Sequence, residues 1–349
     1  MSAHSYLPIF ETTRGSIIES VHFGAIAVVD SSGQLIASYG DPQTTTYMRS
    51  SAKPFQALPF IEAGGDEHFK LTPAEIAVIC ASHSGTDEHV RVTAALQSKV
   101  GVEESQLMCG IHPPFDQLTR EAMKARSEAP SPNRHDCSGK HTGMLAFARL
   151  QGWPAQDYID PNHPVQQTIL ATFSEMVSPS QNEVALGTDG CLAPIFAIPL
   201  YNAALAYARL ADPSDLTPKR AAACETITSS MAAHPDMVAG PGRFDTELME
   251  AALGRIISKS GAEGYQGIAI MADALSPDSP VLGIALKISD GDRAGRARTV
   301  VAVEVLRQLG ALSNSQLDSL SDLGPTLAIR NWRDIDVGEG RPTFTLKRS

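Results

Sequence analysis

Strand-forming patterns stand at both ends of this chain and helix-forming patterns fill its middle, a distribution that restricts the fold more than any other feature. Near the start, apolar runs at 24–29 and 34–38 flank the turn Asp30-Ser31-Ser32-Gly33 and predict a hairpin over 16–38. Near the end, 267–271 and 281–288 read as paired strands around Ser276-Pro277-Asp278-Ser279-Pro280. A helix over 293–309 follows, with Val300, Val301, Val303, Val305 and Leu306 available to cover a sheet. Between these ends, a helix is expected from Ser50 through Phe60, with Pro54 tolerated in its first turn. Others are expected over 142–150, 165–176, 200–210 and 220–233. The continuous apolar run 76–81 predicts a buried element opening onto Ser82-His83-Ser84-Gly85. The expected architecture is one α/β (α+β) unit over 1–349. Its sheet lobe takes approximately 1–49 and 255–349, and a mostly helical lobe takes approximately 50–254. A cleft between two such lobes is the default place for a site.

With 43% hydrophobic and 19% charged residues over 349 positions, the chain is a folded protein able to bury a core without staples. The net charge of −11 argues against nucleic acid or an anionic membrane as partner. The most apolar stretch, 191–206, is interrupted by Pro194, Pro199 and Asn202 and is too short to span a bilayer. Residues 1–15 carry no basic start and no apolar run, so a cytoplasmic location is expected. Cys80, Cys109, Cys137, Cys191 and Cys224 are odd in number and widely spaced, which suits thiols or metal ligands better than a disulfide framework.

Three motifs carry chemistry. Ser50-Ser51-Ala52-Lys53 is the only S-x-x-K, and at helical spacing Ser50 and Lys53 share a face. A serine hydroxyl becomes a useful nucleophile when a base takes its proton, and a lysine serves when its amine is neutral. Lys259-Ser260-Gly261, expected just ahead of a strand, and Ser82-His83-Ser84 complete the ordered trio found in serine acyl-transferases. The third motif, Arg134-His135-Asp136-Cys137-Ser138-Gly139-Lys140-His141-Thr142-Gly143, concentrates ligand-type residues, and Thr188-Asp189-Gly190-Cys191 repeats its pairing of carboxylate and thiol. Two cysteines from separate loops plus a nitrogen would form an open zinc site, although no C-x-x-C spacing is present. The polar stretch His234 to Phe244 reads equally as a cleft loop or a tight connection. The isolated His4, His22, His68 and His163 are assigned no role.

Together these segments resemble the rhizobial-type, class 3 L-asparaginases, also called the asparaginase II family, in order over roughly residues 10 to 330. The resemblance implies a serine-β-lactamase/penicillin-binding-protein-like fold, a homodimer, and hydrolysis of L-asparagine to aspartate and ammonia. It implies two Ser–Lys tandems, Ser50 with Lys53 and Ser82 with Lys259, and a zinc ion on Cys137, Lys140 and Cys191. It also implies that Asp189 and His141 stand beside the metal and that Arg49 accompanies the first tandem, as substrate-binding groups. Three of the nine lysines thereby find a use in a chain that has nineteen arginines. The competing expectations are another amidohydrolase of this fold, such as a glutaminase, a β-lactamase or a peptidase, and a non-catalytic zinc- or amino-acid-binding protein.

Overall fold

The computed structural model describes residues 5–178 and 181–349; His4 lies outside them. The chain forms two compact units, Met1–Ser51 with Ala197–Asp212 and Ala251–Ser349, and Ala52–Phe196 with Pro213–Glu250.

Among the described residues, the first unit is built on an antiparallel nine-stranded sheet drawn from both termini. Its strand order is Leu327–Arg330, Asp336–Pro342, Leu7–Arg14, Ile17–Asp30, Leu282–Ile288, Tyr265–Ile270 and Ile256–Gly261, with Leu35–Tyr39 branching from Ile17–Asp30 and Lys347–Arg348 pairing with that branch. The expected hairpin is present: Gly33 N–H closes onto the Asp30 carbonyl, and Ile26 to Val29 pair with Tyr39 to Leu35. Strand Ile17–Asp30 changes partners along its length. Up to and including Gly24 it pairs with Leu7–Arg14, and from Gly24 onward with Leu282–Ile288. A Cβ at Gly24 would lie 2.7 Å from the Lys287 carbonyl oxygen, so the exchange requires glycine.

Every residue of Tyr265–Ile270 and of Leu282–Ile288 is buried, so these strands are mostly apolar, with Gln266 and Lys287 as their buried polar members. Helices Leu200–Ala211 and Arg298–Leu309 pack on these strands. The first of them sits against the backbone. A Cβ on Gly283 would meet the Ala204 carbonyl oxygen at 1.8 Å, and one on Gly267 the Tyr207 ring at 2.1 Å. Residues 197–212 therefore lie with the sheet, although their pattern groups them with the middle helices. Two boundaries differ from the expected ones. Lys259-Ser260-Gly261 is inside the edge strand Ile256–Gly261, where Lys259 faces Gly267; buried polar side chains there mask the strand pattern. The helix expected from 293 starts at Arg298, because the Asp292 carboxylate accepts the N–H groups of Arg296, Ala297 and Arg298.

The second unit is helical. Phe173 packs edge-on to Phe55 and stacks on Phe196 in its core, with ring centroids at 6.1 and 4.3 Å. Capping boxes at Thr72 and Thr86 start the helices Pro73–Ile79 and Asp87–Val100. Helix Ser138–Gln151 crosses the end of Pro73–Ile79 at close range. A Cβ on Gly139 would stand 2.0 Å from the Val78 carbonyl oxygen, and one on Gly143 2.7 Å from Ile79 Cγ2. That approach sets the loop after Ile79 beside the loop before Ser138. Among the described residues no helix is long and apolar enough to cross a membrane.

Candidate active site

In the first unit, Ser50 lies in the 3₁₀ turn Arg49–Ala52, which leads directly into helix Lys53–Glu62. Arg49 opens the turn at φ 52°, a left-handed conformation that a side chain of its size rarely adopts. Ser51 pins the turn to the edge strand, its Oγ donating to the Lys259 carbonyl at 2.6 Å, while the Tyr207 hydroxyl donates to the Ser51 carbonyl. Gly261 permits this contact, because a Cβ there would meet the Met48 carbonyl oxygen at 2.4 Å. The K-S-G glycine thus has a steric task, and it sets Lys259, fully buried, beside the turn that carries Ser50.

In the second unit, Lys53 is buried at the first position of its helix. Its Nζ donates to the Ala81 carbonyl at 2.6 Å and to Ser82 Oγ at 2.8 Å, with an Asp136 carboxylate oxygen at 3.8 Å. Ser82 is held from behind, its N–H donating to the Val238 carbonyl. Burial works against the Asp136 carboxylate, but the Lys53 ammonium and hydrogen bonds from His112 and His135 outweigh it and hold its pKa well below the carboxylate range. His83 bonds Ser138 Oγ at 2.8 Å and stacks on His89; burial and that neighbouring imidazole push its pKa well down.

A second cluster in the same unit joins the two thiol motifs. Turn Asp189–Leu192 closes with Leu192 at φ 69°, and it aims Asp189 and Cys191 the same way, with Cys191 Sγ 3.6 Å from Asp189 Oδ2. Lys140 Nζ lies 3.0 Å from Cys191 Sγ. The sulfurs of Cys137 and Cys191 and an Asp189 oxygen all fall within 4.8 Å of one another. The thiols share a hydrogen bond that lowers the pKa of Cys191 and, with burial, raises that of Cys137. Burial disfavours the Lys140 ammonium, but Cys191, Cys137 and Asp189 outweigh it and keep it above its ordinary value. His141 Nδ1 is 2.6 Å from the Tyr158 hydroxyl, and burial lowers this imidazole to about 4. Two sulfurs, an amine and a carboxylate, all buried, form a donor set that fits zinc. His112, His135 and Asp136 form another three-group set, but its carboxylate is already matched by Lys53.

The predicted residues thus fall into three contacts: Ser50 beside Lys259 through Ser51, Lys53 with Ser82, and Cys137, Lys140, Asp189 and Cys191 together with His141 close by. Sequence reading missed His112 and Tyr158, which stand in ordinary loops with no motif around them. It quoted Asp136 without giving it a role, although its place between His135 and Cys137 was the available signal.

A buried lysine amine against a serine hydroxyl is equipment for acyl transfer, and comparison with known proteins makes the chain an amidohydrolase. The family model described as L-asparaginase II matches residues 10–342, and the chain belongs to that family. No curated protein matches the chain. Among solved structures it is similar to a Bacillus glutaminase in 4.3 M NaCl, at 12% identity over 82% of this chain and 90% of that one, TM-score 0.38. It is also similar to a Bacillus subtilis glutaminase in covalent complex with 5-oxo-L-norleucine, at 12% identity over 83% and 89%, TM-score 0.39.

Proposed function

We propose that this protein is an L-asparaginase, hydrolysing the side-chain amide of L-asparagine to L-aspartate and ammonia through a Ser–Lys system. The observation that carries the reading is the buried Lys53 amine 2.8 Å from a serine hydroxyl in a chain of the L-asparaginase II family. Ser50 attacks the amide carbonyl, with Lys53 as its base; an acyl-enzyme forms, ammonia leaves, and water completes the cycle. Ser82 and Lys259 relay protons to the leaving nitrogen, and Lys259 adds positive charge near the developing oxyanion. Arg49, Asp189 and His141 hold the amino-acid end of the substrate.

Zinc, held by Cys137, Lys140 and Cys191, would supply a fixed positive charge for polar groups at that end of the substrate. The protein is proposed to act as a cytoplasmic homodimer, since its five cysteines are odd in number and widely spaced and symmetric dimers are the common assembly. A second reading is favoured by the Lys53–Ser82 contact itself: Ser82 is the nucleophile and Ser50 the relay. Ser50→Ala and Ser82→Ala variants, each quenched during turnover and weighed by mass spectrometry, separate the two. The serine whose loss removes the acyl adduct is the nucleophile, and an adduct that survives in both variants rejects the Ser–Lys mechanism.

A further inference from the structure

Arg243 is a charged side chain that the mechanism above leaves unused. It stands just ahead of helix Phe244–Ala251, in the polar stretch whose sequence suits a cleft loop or a connection equally. The structure lashes that stretch to the serine-bearing loop. Ser84 Oγ donates to the Ala239 carbonyl at 2.8 Å, and a Cβ on Gly240, at φ 117°, would press on Ser84 Oγ at 2.8 Å. The Arg243 guanidinium then donates to Ser84 Oγ at 3.3 Å and lies over the Phe115 ring, 5.8 Å from its centroid.

From Phe115 the contacts lead back to the Ser–Lys pair. Phe115 stacks on His112 at 4.7 Å, His112 meets the Asp136 carboxylate at 3.3 Å, and that carboxylate faces Lys53. On the other side Ser84 is two residues beyond Ser82. The contacts close a ring, so Arg243 stands on the rim of the centre formed by Lys53 and Ser82.

The other cations of this unit near the site are matched. Lys53 faces Asp136, Lys140 faces the Cys191 sulfur, and Arg134 pairs with Asp87 at 2.7 Å and Glu128 at 2.9 Å. Among the described residues Arg243 meets a hydroxyl and an aromatic face but no carboxylate. A half-exposed guanidinium braced on an aromatic face is equipped to grip a carboxylate with two parallel hydrogen bonds.

We infer that Arg243, with Phe115 as its platform, binds the α-carboxylate of the amino-acid substrate and so determines specificity for free amino-acid amides. The inference rests on the asparaginase reading. The test compares wild-type holoenzyme with Arg243→Met and Arg243→Lys, measuring ammonia release from L-asparagine and from 3-aminopropanamide, which is asparagine without its carboxylate. In Arg243→Met the KM for asparagine is expected to rise about 10- to 100-fold while kcat falls far less. The wild-type preference for asparagine over 3-aminopropanamide collapses, and Arg243→Lys recovers part of it. An unchanged preference overturns the inference, whether KM stays put or both substrates suffer alike, since a merely structural arginine gives the second pattern. A wild-type protein silent on every amino-acid amide instead overturns the asparaginase reading and takes this inference with it.

Discussion

The two units bury charge to different ends. In the sheet unit most buried ionisable groups close local structure: Lys287 ends on the Glu263 carbonyl, Asp292 caps a helix and Glu304 pairs with Arg307. In the helical unit they meet one another. Lys53 faces Asp136, Lys140 faces Cys191, His83 stacks on His89, and His141 bonds Tyr158. Burying an ionisable group costs several kcal/mol unless it is matched. A unit that accumulates such groups in mutual contact has a use for them, whereas one that disposes of them singly is a scaffold. Lys259 is the instructive exception, a fully buried lysine in the scaffold, and it is one of the proposed catalytic groups.

The largest effect that sharpens this contrast comes from Lys53. Lys53→Met keeps the volume and removes the amine, and turnover is expected to fall by about 10²- to 10⁴-fold with the circular dichroism spectrum intact. Lys287→Met, the sheet unit's counterpart, should leave turnover near normal. Equal losses in both variants would erase the distinction.

Glycine-to-alanine changes probe the two close approaches. Alanine ordinarily stabilises a helix relative to glycine by about 1 kcal/mol. Here Gly139→Ala drives a Cβ to 2.0 Å from the Val78 carbonyl, and Gly283→Ala one to 1.8 Å from that of Ala204. Each is expected to destabilise by about 1–3 kcal/mol or more in denaturant melts. Only Gly139→Ala should also reduce metal retention, because it displaces the helix bearing Lys140.

Removal of a thiol gives a further measure. Cys191→Ser should weaken zinc binding by at least about tenfold in a chelator competition, and Cys224→Ser should not. Binding should strengthen as pH rises, since the metal displaces protons from Cys137 and Lys140. Binding unaffected by Cys191→Ser would remove the zinc assignment from this cluster.

A further effect is on the pH dependence of stability. Burial lowers the pKa of His83, His89 and His141, so the unfolded chain takes up protons before the folded one does. Their contribution is full above about pH 6.5 and is lost as pH falls below that value, by up to about 1.4 kcal/mol per pH unit for each imidazole. For His141 the loss ends near its folded value of about 4. Melts between pH 5 and 8 should show this slope, and His83→Asn should flatten it.

Much of this was legible in the sequence. Apolar runs and turn residues predicted the hairpin over 16–38 and the paired strands over 267–271 and 281–288. The S-x-x-K, K-S-G and thiol motifs named groups that the fold brings into contact. The strand holding Lys259 was hidden because two of its buried side chains, Ser258 and Lys259, are polar, which breaks the apolar pattern. Strand Leu7–Arg14 was unread because buried Glu11, Thr12 and Thr13 do the same. The place of helix Leu200–Ala211 on the sheet depends on Gly267 and Gly283, whose effect exists only once distant segments meet. His112 and Arg243 join the site through loop packing, which leaves no periodic trace.

The central claim is tested most directly by ammonia release from L-asparagine by the purified protein, run beside L-glutamine and beside Ser50→Ala and Ser82→Ala. The account predicts strong release from asparagine, little from glutamine, and loss of turnover when the attacking serine is removed. Release that survives both substitutions, or none from asparagine by folded, zinc-loaded protein, would contradict it.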